Sequence, residues 1–299
     1  MESLSTLRVM RIILLSLFVS VTGTVYAQPA IPVVTSSFLP GIICTDSIEF
    51  NAAFSLDGNS FYFTRSANKR TQLYTSTKTG NEWSTPIPLP FSYTNYSDAD
   101  PAFSPTGELY FISTRPTYLN DTTKDYDIWK VTRTDSGQWS EPINVKELNS
   151  PEDEYYISFT QKGDACFSSS RQGGYGQEDI YFSELINNTF TKPYNMGSTI
   201  NTKNSEYDPF ITANGSALIF TSSGRSDSFG KADLYWSIRT KNGWQNVKHF
   251  SSVINTPDRD YCPYISRDNK YFLYSVSRDI KSTNLNHLPA ALTQAAHSK

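Results

Sequence analysis

Three cysteines, three histidines and three methionines are spread over 299 residues. That leaves no material for a disulfide-dense scaffold or a zinc framework. Charge is scarce as well: 18% of residues are Asp, Glu, Lys or Arg, and the formal net charge is −3. A basic footprint for nucleic acid is missing. The abundance of Ala, Glu, Lys and Leu that a coiled coil needs is missing too. No G-x-S-x-G, H-E-x-x-H or phosphate-binding glycine loop occurs, nor a D-x-D-x-D-G calcium loop. Neither a metal nor a cofactor is expected. What the chain has in quantity is rings: 19 Tyr, 18 Phe and 5 Trp. A chain this aromatic and this poor in charge folds rather than staying disordered.

Long apolar runs are confined to the N-terminus. Residues 1–27 read as a secretory signal peptide: Arg8 and Arg11 open it, an apolar run follows from Ile12 to about Val21, and Val25-Tyr26-Ala27 supplies a cleavage site before Gln28. The run is shorter than the roughly 20 residues a bilayer span needs. The mature chain is therefore expected to be exported, periplasmic or secreted, with no membrane span after cleavage.

The rest is periodic. Ser55, Ser104, Thr160, Thr212 and Ser266 recur at intervals of 49, 56, 52 and 54 residues. Each opens a turn: S-L-D-G, S-P-T-G, T-Q-K-G, T-A-N-G and S-R-D-N. Gly or Asn in fourth place suits a positive φ, the signature of a tight hairpin. An aromatic, strand-like run follows each turn and ends near Arg65, Arg115, Arg171, Arg225 or Arg278. Six residues before each anchor stands a carboxylate: Glu49, Asp98, Glu154, Glu206 and Asp260. Six residues before that lies an [I/L]-x-[S/T] step, as I-C-T, L-N-S, I-N-T and I-N-T, with a weaker S-Y-T at 92–94. Third strands follow at Q-L-Y, D-I-W, D-I-Y and D-L-Y, and fourth strands open at Trp83, Trp139, Phe190 and Trp244.

Four short strands in about 50 residues describe a propeller blade. One blade cannot cover both its faces, so blades must pack in a ring. The fold expected is all-β, a five-bladed β-propeller over residues 28–280. Residues 281–299 form a C-terminal tail, helical or frayed. The fifth repeat has two clear strands. The I-C-T step at 43–45 and the segment at about 30–38 supply its missing outer end, so the N-terminus completes the last blade. Cys44 and Cys262 then both lie at the seam, and a bridge between them is left open; Cys166, in A-C-F, reads as a small buried hydrophobe.

The pattern E-x5-S-x-D-G-x3-Y-F-x-S-x-R, followed by D-I-Y and W-x-x-P, resembles the WD40-like β-propeller repeats of TolB-type periplasmic proteins. It covers roughly residues 38–280. The resemblance implies a propeller and an envelope location. The chain has no room for TolB's additional N-terminal domain, and five repeats stand against six blades.

The five repeat carboxylates, Glu49, Asp98, Glu154, Glu206 and Asp260, are the sharpest candidate site. Related by the ring, they are placed to line one channel mouth and attract a cation or a basic segment of a partner. The competing expectation is that each pairs with the Arg of its repeat. Asp100 and Asp208 share a further position, four residues before their anchors. The long loop at 116–126 carries Tyr118 and Tyr126, candidates for contact with a partner or a sugar. The Gly-rich loop at 172–177 reads as a rim loop. The function expected is a binding scaffold for another envelope or secreted protein. The alternative is a carbohydrate-active enzyme or sugar-binding module, with its site at the channel mouth.

Overall fold

A computed structural model describes residues 35–298 apart from 68–69, 94 and 246. The signal-peptide reading at 1–27 and the last residue of the S-Y-T step, Thr94, lie outside the described residues. Five antiparallel blade sheets follow one another along the chain, each beginning with an inner strand at a repeat carboxylate, and a two-stranded ribbon, Leu185–Ile186 with Thr189–Phe190, is added within the third repeat. Blade 1 runs Ile48–Phe54, Ser60–Ala67 and Arg70–Thr79, with two short outer strands, Glu82–Trp83 and Ile87–Pro88. Blade 2 is Asp98–Phe103, Leu109–Ser113, Asp127–Val131 and Ile143–Asn144. Blade 3 is Glu154–Phe159, Ala165–Ser169, Asp179–Ser183 and Tyr194–Asn195. Blade 4 is Ser205–Ile211, Ala217–Ser223 and Asp233–Thr240, with Gly243–Trp244 and Lys248–His249 outside.

Blade 5 is built from both ends of the chain. Asp260–Ile265, Tyr271–Val276 and Asp279–Asn284 pair in order, and Ser36–Ser37 adds the fourth strand, Ser36 opposite Ser282. The ring is thus sealed by the N-terminal segment, which leaves no free edge at the seam. The third strand of this blade runs past residue 280, where the repeat was expected to end. Only Ser277 and Arg278 separate it from the second strand, whereas blades 2, 3 and 4 insert longer loops there. The tail beyond it forms the short helix α1, Ala290–His297, which packs Leu292 and Ala295 against blades 4 and 5.

Alternation along the second strands explains the aromatic load. Phe61 and Phe63 face blade 5 while Tyr62 faces blade 2. Ala165 and Phe167 face blade 2 while Cys166 faces blade 4. Successive side chains of a strand point to opposite faces, and here both faces meet a neighbouring blade. The apolar core is accordingly five clusters, one at each blade interface, including the seam, where Phe38, Ile43 and Cys44 pack on Phe61 and Leu273.

Candidate functional site

The repeat carboxylates begin the inner strands and are fully enclosed within their own blades. The [I/L]-x-[S/T] step caps each one that can be described. The hydroxyl and backbone N–H of Thr45 donate to Glu49, those of Ser150 to Glu154, those of Thr202 to Glu206 and those of Thr256 to Asp260. Four acids also take an arginine: Arg65–Glu49 at 2.8 Å, Arg115–Asp98 at 2.8 Å, Arg171–Glu154 at 3.0 Å and Arg225–Glu206 at 3.1 Å. Each guanidinium lies over rings of the second and third strands, as Arg225 does over Phe220 and Tyr235 at 5.5 and 5.0 Å. The aromatic third-strand signature is therefore the floor of an ion pair.

The fifth blade breaks the pattern. Arg278, expected to match Asp260, stands exposed in the two-residue turn and donates to the carbonyl of Asp46. Val276 faces Asp260 where blades 2, 3 and 4 place Ser113, Ser169 and Ser222. Burial pushes Asp260 up to about 6, with Asp233 and Asp258 adding repulsion. Glu154 also rises to about 7, because burial outweighs its hydrogen bonds and Arg171. Equivalent in place, the five acids do not come together in one opening.

What meets at the centre is the residue two places later. Asn51, Asp100, Tyr156, Asp208 and Cys262 sit at the bulge of each inner strand, all with φ between 39° and 59°. Such a conformation is tolerated by Asn and Asp and is costly for Tyr and Cys. Together they form a belt across the channel. Asn51 Nδ2 donates to Asp100 Oδ1 at 3.2 Å, and the Tyr156 N–H to Asp100 Oδ2 at 3.3 Å. The Cys262 N–H and Sγ both reach Asp208 Oδ2, at 3.1 and 3.5 Å. The Tyr156 hydroxyl crosses from blade 3 to the Pro263 carbonyl of blade 5. Burial raises Asp100 to about 6; it raises Asp208 well above the usual range, with the charge of Asp100 as the next cause. Burial and the neighbouring charge therefore both favour the protonated form of Asp208.

No clasp joins Cys44 to Cys262. Cys44 lies in the seam cluster and its thiol donates to the Ile280 carbonyl at 3.3 Å, while Cys262 points at Asp208. Cys44 does there what Asn149, Asn201 and Asn255 do in other repeats, each donating to the carbonyl of the second residue of a third strand.

The belt separates two hollows. On the side where the inner strands begin, a cavity of about 450 Å³ holds Asp100, Asp208, Glu178 and Arg259. Phe50, Tyr155, Tyr207 and Tyr261, each directly after a repeat carboxylate, ring it. Three acids face one base, so the mouth is acidic. On the hairpin-turn side, a cavity of about 410 Å³ is lined mainly by apolar groups.

The loops joining second to third strands surround the acidic mouth. Tyr118 is exposed, whereas Tyr126 is half-buried and packs on Tyr155 with ring centres 5.6 Å apart. The Gly-rich loop at 172–177 folds over Asp179, which accepts the N–H groups of Tyr175 and Gly176; Asp233 takes those of Phe229 and Gly230 in the next blade. Tyr175 and Phe229 are left exposed at corresponding tips. His249 is held between Asp233 and Asn255 in the same clasp. Reasoning from sequence placed Asp100 and Asp208 at a shared position but missed the belt. Its signal was available: a proline follows Asp100, Asp208 and Cys262.

No protein-family model matches the chain, and no curated protein matches it. Solved structures do. A thermostable family-43 glycoside hydrolase is similar with a TM-score of 0.53 at 11% identity, over 83% of this chain and 91% of that one. A protein of unknown function from Dyadobacter fermentans gives 0.52 at 13% identity, over 89% and 84%. TolB from Acinetobacter baumannii gives 0.48 at 15% identity, over 80% of this chain, which spans 54% of the TolB length. At such identities the likeness concerns the fold: the chain is a β-propeller, five-bladed, with TolB among the structures it resembles.

Proposed function

We propose that this chain is an exported binding scaffold that receives a cationic segment of another envelope or secreted protein in its acidic mouth. The observation that carries the reading is Asp100 and Asp208 at the bottom of a ring of Phe50, Tyr155, Tyr207 and Tyr261. Carboxylates below and aromatic faces around suit an ammonium or guanidinium group. The exposed Tyr118, Tyr175 and Phe229 at the surrounding loop tips add area for a protein surface. A cation entering the mouth favours the ionised carboxyls, so binding strengthens as pH rises through about 6, where Asp100 loses its proton.

Titration of a labelled lysine-rich peptide, followed by anisotropy, tests this. Binding should weaken with salt, and Asp208→Asn should cost about ten-fold in affinity, the order of one charge-assisted contact. Equal binding of a peptide with its lysines acetylated would overturn the reading.

A second reading is a carbohydrate-active enzyme at the same mouth. It is supported by two neighbouring carboxyls of which burial raises Asp208 well above the usual range, a difference that acid and base roles require, and by aromatic faces suited to sugar rings. Release of reducing sugar from a glycan panel, lost in Asp208→Asn without a change in melting, would establish it over the scaffold.

A further inference from the structure

The hollow on the hairpin-turn side is a second chamber, and the acidic mouth makes no use of it. Its floor is Tyr156, tied across the channel to Pro263. Its walls are Phe103, Phe159, Phe210 and Tyr264, the last or last-but-one residues of four inner strands, each partly open to it. The enclosed volume of about 410 Å³ is within the range of small-molecule sites, roughly 300–1,000 Å³. Four half-covered rings around one hollow form a prepared apolar surface.

One charged side chain stands over this surface. Arg267, in the hairpin turn of blade 5, reaches over the mouth to blade 2, where its Nη2 donates to the carbonyls of Phe103 and Ser104 at 3.2 and 3.3 Å. Blades 5 and 2 are not neighbours, so the side chain is a strap across the opening. Its Nε and Nη1 have no partner among the described residues, and no carboxylate of the described residues lines the chamber. The contrast with the other arginines is direct: Arg65, Arg115, Arg171 and Arg225 each satisfy a buried acid. The remaining rim is neutral or polar, with Gln161 and the end of α1 at His297.

We propose that this chamber binds an amphipathic carboxylate, its apolar chain between the four rings and its head group against the open edge of the Arg267 guanidinium. An apolar body gains by leaving water, and a guanidinium N–H makes a charge-assisted hydrogen bond to a carboxylate. The site is separate from the acidic mouth, and its carboxylate ligand is of opposite charge to the ligand proposed there.

Calorimetric titration of the mature chain with dodecanoate, dodecanol and dodecylamine, below their micelle concentrations, tests the assignment. Dodecanoate should bind, dodecanol more weakly, and dodecylamine least. Arg267→Gln should reduce dodecanoate affinity about ten-fold, as expected for one charge-assisted contact, and leave dodecanol unchanged. Ala102→Trp, which fills the chamber from its wall, should abolish both. Melting of each variant without ligand separates loss of site from loss of fold: Arg267 is exposed, so its variant should melt as the parent does. Equal affinity for dodecanoate and dodecylamine, or unchanged dodecanoate affinity in Arg267→Gln, would overturn the head-group assignment. No binding of any of the three to the parent protein would overturn the site.

Discussion

Asp260 is the one repeat carboxylate without an arginine, and that difference has measurable consequences. In blade 4, Glu206→Gln strands Arg225 over its two rings with no counter-charge. Removing one member of a buried pair costs about 3–5 kcal/mol, so its denaturant midpoint should fall steeply. Asp260→Asn strands no cation. Its folded-state value of about 6 lies above the usual 3.8. A raised acid favours folding while protonated: its contribution is complete below about 3.8 and is lost as pH climbs through 6. Asp260→Asn should therefore raise the melting temperature at pH 8 relative to the parent and change it little at pH 4. A uniform loss at both values would mean that Thr256 alone satisfies the charge. The sequence carried the acid of every repeat legibly. It could not carry the failure of Arg278 to pair, because that follows from placement: Arg65 stands opposite its acid within the second strand, Arg115, Arg171 and Arg225 return from longer loops, and Arg278 sits in a two-residue turn with Val276 opposite Asp260.

At the scale of the element, the seam decides. The fourth strand of blade 5 was legible because I-C-T at 43–45 repeats the step found before other carboxylates, and its hydroxyl does cap Glu49. The third strand was not. D-I-K at 279–281 keeps the D-I of D-I-Y but has lysine where the ring stands, since no arginine needs a floor in this blade. Deleting residues 28–45 removes Ser36–Ser37 together with Phe38, Ile43 and Cys44, which uncovers Phe61 and Leu273 and leaves a bare sheet edge. Size-exclusion chromatography should show aggregation of that variant; a monomer with unchanged melting would show that the ring holds without its closing strand. The Gly-rich loop is an element of the same structural kind. A Cβ at Gly176 would collide with the backbone carbonyl of Asn204 in the next blade. Gly176→Ala should accordingly shift the melting temperature downward while leaving the exposed Tyr175 in place.

At the scale of the whole molecule, five residues of four kinds on like backbone hold the centre. Repeat logic reads identities that recur, and Asn51, Asp100, Tyr156, Asp208 and Cys262 all share only a conformation, Asp recurring twice and a following proline three times, so the periodic sequence half hid what the channel contains. The differences are where function is expected, because a site on a symmetric ring must break the symmetry. Tyr156 is the member that spans the channel. Its hydroxyl is the only group of the belt, among the described residues, that bonds across to a non-adjacent blade, and its ring separates an acidic hollow from an apolar one. Tyr156→Phe keeps the ring and removes that bond, leaving the buried Pro263 carbonyl without this donor. The loss should be about 1–3 kcal/mol, the cost of an unmet buried acceptor, read as a lower urea midpoint at constant slope. Because the ring remains, the two hollows stay separate, and ligand binding at either mouth should persist. Tyr156→Ala removes the partition as well, and there the two mouths become one channel. An unchanged midpoint in Tyr156→Phe would show that the belt is held by its left-handed backbone and the carboxyl contacts of Asp100 and Asp208 rather than by the strut across it.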